Sequence, residues 1–152
     1  MGALKIPQPA LAQLPSVGND EYISIAVVGA HLSGMPLNGE LKAEKGKLVA
    51  TAITAPDYKL YALKGGRVPK PGLLRVAPGA GASIEVEIWQ LPAAGFGRFV
   101  AAVPPPMSIG TLRLADGRMV KGFLVEPEAL ANARDISEFG GWRAFTSAKA
   151  DA

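Results

Sequence analysis

Short apolar runs alternate with polar turns along this chain, and the first clear run covers residues 22–29. It is rich in β-branched residues and becomes apolar on both faces toward its end. Strands with two apolar faces are typical of the middle of a sheet, so we predict a central strand here. Two glycines bracket the polar turn that follows, residues 30–38. Within it, Pro36 favours the start of a short helix through Lys42, because proline fits a first helical turn.

The middle of the chain predicts four more strands, at residues 48–54, 58–63, 73–76 and 83–91. The last has the clearest alternation, with Ile84, Val86 and Ile88 on one face and Glu85, Glu87 and Trp89 on the other. An alternating strand covers a core with its apolar face only. We therefore expect the glutamate face to be exposed to water, and we do not expect an acid/base pair there.

The last third of the chain predicts a helix at 93–101, strands at 109–114 and 118–125, a short helix at 127–133, and an irregular segment or final strand at 135–145. Three prolines at 104–106 end the first helix, since proline cannot continue it. Asp116-Gly117 lies between two alternating segments, and this dipeptide is a strong hairpin signal.

Strands and helices do not alternate regularly, so a doubly wound parallel sheet is disfavoured. The pattern favours an α+β fold: a small, curved, mostly antiparallel sheet or barrel of about six strands, with two or three short peripheral helices. We assign residues 21–147 to one domain, 1–20 to a flexible proline-rich leader and 148–152 to a flexible tail. The alternative interpretation is that the leader is an arm that docks onto a partner protein.

The amino-acid composition restricts the kinds of functional site that the chain can form. The 152 residues include 18 glycines, 13 prolines, one histidine and no cysteine. Cysteine nucleophiles, disulfides and zinc–cysteine sites are excluded, and a lone histidine makes a histidine-based metal site improbable. We expect no metal and no cofactor. The apolar runs are too short for a membrane helix, so we expect no membrane partner and a cytoplasmic protein.

The net charge of +3 comes from scattered single lysines and arginines, without basic runs or interleaved aromatic residues. This distribution gives little support to nucleic-acid binding. A modest basic excess suits a small anionic substrate. The sequence is compatible with a homodimer.

Seven segments occur in a characteristic order: Val28–Asn38 (VGAHLSGMPLN), Tyr58–Leu63 (YKLYAL), Ile84–Pro92 (IEVEIWQLP), Phe96–Val100 (FGRFV), Ile109–Leu112 (IGTL), Asp116–Phe123 (DGRMVKGF) and Gly140–Arg143 (GGWR). In that order they resemble the C-terminal domain of allophanate hydrolase, over about residues 22–146. The resemblance implies a γ-glutamylcyclotransferase-like fold. It also implies decarboxylation of N-carboxycarbamate, which an amidase domain produces from allophanate, and it places His31 at the family's histidine position.

The chain departs from the full hydrolase, because it has no glycine/serine-rich amidase signature and is too short for an amidase domain. We therefore expect a free-standing copy of the domain, with a separately encoded amidase supplying its substrate. True γ-glutamylcyclotransferases carry a Tyr-Gly-Ser/Thr loop after the first strand and use a glutamate as general acid/base. Here Gly29-Ala30-His31 occupies that loop, which argues against cyclotransferase activity.

A carbamate loses carbon dioxide more readily once its nitrogen is protonated, and histidine suits the proton donor because it titrates near neutral pH. His31 is accordingly our candidate catalytic residue. The candidate substrate-binding residues are Gly29, Ser33, Gly34, Lys59, Tyr61, Lys121 and Arg143, which offer loop N–H groups, hydroxyls and cations for carboxylate oxygens.

Structural roles compete with each of these assignments. A loop histidine or serine is often a capping residue, strand tyrosines often serve packing, and surface lysines are usually solvated. A non-catalytic binding or assembly subunit of an amidase, and a cyclotransferase-like enzyme on another amine, are the alternative functions.

Overall fold

The computed structural model describes residues 21–151; the predicted leader at residues 1–20 lies outside this range. The described residues form eight strands and three α-helices. The strands are β1 (Tyr22–Val27), β2 (Lys47–Ile53), β3 (Tyr58–Ala62), β4 (Pro71–Arg75), β5 (Glu85–Pro92), β6 (Met107–Arg113), β7 (Met119–Val125) and β8 (Arg134–Asp135). The helices are α1 (Asn38–Ala43), α2 (Ala93–Ala101) and α3 (Trp142–Asp151).

A five-stranded sheet with the order β2-β5-β1-β7-β6 forms the larger layer, and β1 lies in its middle. β5 runs antiparallel to both β1 and β2, and β6 and β7 form an antiparallel hairpin. β1 and β7 pair in parallel through Ile25 and Ala26, so the sheet is mixed. The central position of β1, the hairpin at Asp116-Gly117 and the mostly antiparallel pairing are confirmed.

A second sheet has three strands in the order β4-β3-β8, and its strand β4 packs against β7. Gly72 on β4 allows the close approach, since a Cβ there would lie 2.8 Å from the Val125 side chain. The larger sheet curls until Thr54 and Leu114, just beyond β2 and β6, form a bridge. The two sheets stay separate, however, and the described residues form no closed barrel.

The core fills the space between the sheets and helices. Ile25, Ala26 and Val27 at the end of β1 are fully buried, as a central strand requires. The second face of β5 is buried as well, because Glu87 is 4% exposed and Trp89 is 3% exposed. The prediction that this glutamate face is exposed to water was wrong; loop and helix residues that are distant in sequence cover it.

A short helix was predicted at 127–133, where the structure has a 3₁₀ turn; an irregular segment or final strand was predicted at 135–145, where the short strand β8 is followed mainly by helical structure. Pro127–Leu130 and Ser137–Phe139 form 3₁₀ turns, and the second ends at Gly140, whose φ of 75° suits glycine. α3 follows, with Trp142 and Phe145 buried one turn apart on a common face. Residues 148–151, assigned to a tail on sequence, continue this helix.

No helix within residues 21–151 combines the length and apolar character needed to cross a membrane.

Candidate active site

The loop after β1 is fixed by its own backbone. The N–H of Leu32 donates to the carbonyl of Gly29 at 3.0 Å, and the N–H of Leu37 donates to the carbonyl of Ala30 at 2.9 Å. The buried amide of Asn38 donates from Nδ2 to the carbonyl of His31 at 2.8 Å. These bonds satisfy the backbone of a buried turn and hold the main chain of His31 in one position.

Two glycines make this loop possible. A Cβ on Gly29 would lie 2.2 Å from Cδ of Pro71, so only glycine permits the loop to pass β4 so closely. Gly34 has a φ of 80°, in the left-handed region that other residues avoid.

The ring of His31 lies between two phenylalanines. Phe123 of β7 stacks on it with 5.0 Å between ring centroids and 14° between ring planes. Phe99 of α2 meets it edge-on at 5.1 Å. The Nε2 atom is 2.8 Å from Oε1 of Glu40, on α1, and the His31 side chain is only 14% exposed. Three elements therefore fix the orientation of the imidazole.

The charge of His31 follows from this setting. Burial lowers its pKa below the ordinary value, the hydrogen bond and charge of Glu40 oppose that shift in part, and the nearby Lys70 cation adds to it. A carboxylate oxygen accepts hydrogen bonds, so the tautomer that suits this contact carries its proton on Nε2. In the neutral imidazole, Nδ1 is then the nitrogen with a free lone pair.

A cavity of about 750 Å³ opens beside this imidazole. Residues from the β1 loop, α1, the β3–β4 loop, α2 and the start of β6 line it. The cations among them are Arg67, Lys70 and Arg98, and the carboxylates are Glu40 and Glu44. Glu44 accepts a hydrogen bond from Nε of Arg98 at 3.0 Å. The rest of the lining is mostly apolar, so the few charged groups determine how a ligand can orient.

Two of the eight predicted site residues, His31 and Gly29, line this cavity. The other six, Ser33, Gly34, Lys59, Tyr61, Lys121 and Arg143, are not among its lining residues in the described part of the chain. The structure thus separates two groups that the sequence analysis placed in one pocket.

Ser33 and Arg143 bind a buried carboxylate of the protein itself. The N–H and hydroxyl of Ser33 donate to Glu87 at 2.8 and 2.6 Å. Nη2 of Arg143 donates to Glu87 and to the carbonyl of Ser33, each at 2.9 Å, and Nε1 of Trp89 donates at 3.0 Å. Burial alone would raise the pKa of Glu87, but these bonds outweigh it and hold the pKa below its usual range. Glu87 therefore links the loop, β5 and α3.

Three more of the predicted site residues lie away from the cavity. Nζ of Lys121 donates to the hydroxyl of Thr111 at 2.9 Å on the exposed side of the β6–β7 hairpin. Burial would raise the pKa of Asp135, but hydrogen bonds from Ser137 lower it, and the charge of Lys59 adds to that lowering. Tyr61 pairs with Asp135 across β3 and β8.

Sequence reasoning missed Glu40, Arg67, Lys70 and Arg98 as cavity residues. Arg98 and Phe99 stand in a segment that carries the family resemblance, which was an available signal. Glu40 is nine residues from His31, and the β3–β4 loop is more distant still, so no local spacing reveals them. Within residues 21–151, no three histidine, aspartate or glutamate side chains gather closely enough to hold a metal ion.

Known structures with little sequence similarity define the class of fold. A γ-glutamyl cyclotransferase superposes with a TM-score of 0.51 at 12% identity, over 76% of this chain and 70% of that one. This similarity concerns the fold alone, and it confirms a γ-glutamylcyclotransferase-like α+β domain.

Sequence similarity identifies the family. The model of the allophanate hydrolase C-terminal domain matches residues 23–147. The chain belongs to this family. It is 39% identical to the urea amidolyase of Saccharomyces cerevisiae over 143 residues, which cover 91% of this chain but only 8% of that protein.

Two solved structures extend the comparison. The allophanate hydrolase of Kluyveromyces lactis superposes with a TM-score of 0.80 at 40% identity, over 84% of this chain and 21% of that one. A uropathogenic E. coli-specific protein superposes with a TM-score of 0.76 at 35% identity, over 84% of this chain and 97% of that one. The chain thus spans a small part of the two larger enzymes and nearly all of the bacterial protein.

Proposed function

We propose that this protein decarboxylates N-carboxycarbamate, or a related small carboxylated amine, in urea and allophanate nitrogen metabolism, with a separate amidase supplying the substrate. The names of its relatives, urea amidolyase and allophanate hydrolase, support the metabolic setting. The observation that carries the proposal is the oriented, largely buried imidazole of His31 at a cavity lined by three cations.

The proposed step transfers one proton. The imidazolium of His31 protonates the substrate nitrogen, the bond from that nitrogen to one carboxylate carbon breaks, and its electron pair stays on nitrogen. The products are carbon dioxide and carbamate, and the neutral imidazole regains its proton from water. Arg67, Lys70 and Arg98 are the candidates that hold the carboxylates, since guanidinium and ammonium groups suit these oxygens.

The lowered pKa of His31 is compatible with proton donation once the negative charge of the bound substrate is included. In the empty cavity burial favours the neutral ring. A doubly anionic substrate beside the ring favours the charged form, because opposite charges within a few ångströms raise the pKa of an imidazole. Substrate binding would then be accompanied by uptake of the proton that the reaction consumes.

The test uses an amidase to generate N-carboxycarbamate in situ and follows release of carbon dioxide. His31→Asn should reduce the rate that this protein adds by about 10²-fold or more, as expected for loss of a general acid. Lys121→Ala is the control, because Lys121 lies outside the cavity, and it should leave the rate unchanged. Undiminished decarboxylation by His31→Asn would refute the role of His31.

A second candidate function is cyclotransferase-like chemistry on another amine. It is favoured by Glu40, a carboxylate that lines the cavity 2.8 Å from His31. If Glu40 is the acid/base, Glu40→Gln should abolish turnover of a γ-glutamyl amine. The decarboxylation proposal predicts no turnover of such a substrate by the wild-type protein.

A non-catalytic assembly role for an amidase predicts a different result. The protein would then co-purify with the amidase and add nothing to the rate of carbon dioxide release. The His31→Asn experiment separates this case as well, because the wild-type protein would already be inactive.

A further inference from the structure

The cavity is much larger than the proposed substrate needs. At about 750 Å³ it falls within the range of pockets that enclose drug-sized ligands, roughly 300–1,000 Å³. N-carboxycarbamate has only a handful of non-hydrogen atoms, and its two carboxylates leave it no apolar surface. The three cations and His31 can satisfy such a dianion, so most of the cavity has no partner in that substrate.

One stretch of the cavity lining is apolar. Ala102, Val103, Pro104 and Met107, which we call the apolar wall, form it where α2 ends and β6 begins. Ala102 is one helical turn beyond Phe99, whose ring touches His31, so the wall starts about 5 Å along the helix axis from the imidazole contact. The apolar wall and the imidazole therefore line the same cavity about one helical turn apart.

The apolar wall is partly exposed, so in the empty cavity water contacts a surface with which it forms no hydrogen bonds. Ala102 and Pro104 are exposed and Val103 and Met107 are half-buried, whereas the wall carries no charged side chain of its own. Burying apolar area against it would stabilise a complex in proportion to the area covered, at about 25 cal/mol per Å². A ligand with both a carboxylate and an apolar substituent would use the whole lining.

We propose that the site takes an N-carboxylated amine whose nitrogen carries an apolar substituent, with the carboxylate held by the cavity cations and the substituent packed on the apolar wall. This rests on the proposed function, because the same imidazole would protonate the nitrogen. The step stays balanced: the C–N bond to the carboxylate breaks, carbon dioxide leaves, and the substituted amine keeps the electron pair and the proton.

Two stable dianions test the proposal by binding alone. Malonate has the shape of N-carboxycarbamate with CH₂ in place of NH, and benzylmalonate adds an apolar ring at the central carbon. Titration calorimetry gives the two affinities, and the NMR signal of His31, the one histidine in the sequence, reports binding at this cavity. Benzylmalonate should bind about tenfold more tightly or better.

A large side chain on the apolar wall should remove the tighter binding of benzylmalonate. Ala102→Trp should weaken benzylmalonate at least tenfold and leave malonate within about twofold. Ala101→Trp is the matched control, since Ala101 is exposed on the same helix end but does not line the cavity. It should preserve both affinities.

The outcomes separate the two proposals. Equal binding of malonate and benzylmalonate by the wild-type protein, or equal weakening of both by Ala102→Trp, overturns the apolar subsite and leaves the decarboxylation proposal standing. If neither dianion binds or moves the His31 signal, the anion site fails, and both proposals fail with it.

Discussion

At the scale of single residues, the candidate site depends on the neighbours that set the orientation and the charge of the His31 imidazole. His31 is packed between Phe99 and Phe123, bonded to Glu40 and close to Lys70. Burial and Lys70 favour its neutral form, whereas Glu40 favours its charged form. The family resemblance identified the histidine, but no local spacing in the sequence predicted that these four residues surround it.

The competing effects predict the titration of His31, which NMR can follow without assignment because the chain has one histidine. The wild-type pKa should lie below about 6.5, the ordinary value. Glu40→Gln should lower it further by removing a stabilising charge, and Lys70→Met should raise it. A wild-type pKa above 6.5, or shifts of the opposite sign in the variants, would contradict this account of the site.

At the scale of elements, Glu87 connects three parts of the fold that are far apart in sequence. It lies on β5, accepts two hydrogen bonds from Ser33 in the β1 loop, and pairs with Arg143 at the start of α3. The carboxylate is almost fully buried, so its bonds replace the water it lost. We infer that this link positions the loop bearing His31, rather than contacting a ligand.

Glu87→Gln should therefore destabilise the protein by about 1–3 kcal/mol near neutral pH, because it leaves buried donors imperfectly matched. The lowered pKa of Glu87 means that the unfolded state binds more protons in acid, so its contribution is present above the unfolded pKa and is lost as pH falls through the folded pKa. Urea unfolding should show a smaller difference between variant and wild type near pH 4 than near pH 7.

Glu85→Gln provides the matched control, since Glu85 lies two residues away on the same strand and is only half-buried. It should change the free energy of unfolding much less. Equal effects of the two substitutions at neutral pH would indicate that the Glu87 network contributes nothing specific.

At the scale of the whole molecule, the two sheets are joined by a polar cluster as well as by the core. Asp57, just before β3, accepts two hydrogen bonds from Arg113 of β6, at 2.9 and 3.1 Å. The hydroxyl of the buried Tyr58 accepts from the N–H of Arg113 at 2.9 Å. A two-pronged arginine–carboxylate pair is strong and directional, so this cluster ties the start of β3 in the smaller sheet to β6 in the larger one.

Asp57→Asn should lower the free energy of unfolding by about 1–3 kcal/mol, because Asp57 is 4% exposed and Arg113 would lose its charged partner. The comparison is Asp116→Asn, which breaks the pair with Arg118 on the hairpin turn, where both side chains are exposed. That surface pair should contribute little. Comparable losses in the two variants would show that the cluster between the sheets is no stronger than a surface pair.

The sequence by itself determined most of the strands and the family, although it did not predict the helix α3. The β-branched run at β1, the alternation at β5, Pro92 before α2 and the Asp116-Gly117 turn each encode a structure within a few residues, so their positions were predicted closely. Only the tertiary structure decided that Glu87 is buried, that Ser33 and Arg143 bind it, and that Glu40, Lys70 and Arg98 surround the cavity. The physical reason is that hydrophobic period and turn chemistry act locally, whereas burial and charge pairing depend on which distant segments the folded chain brings together.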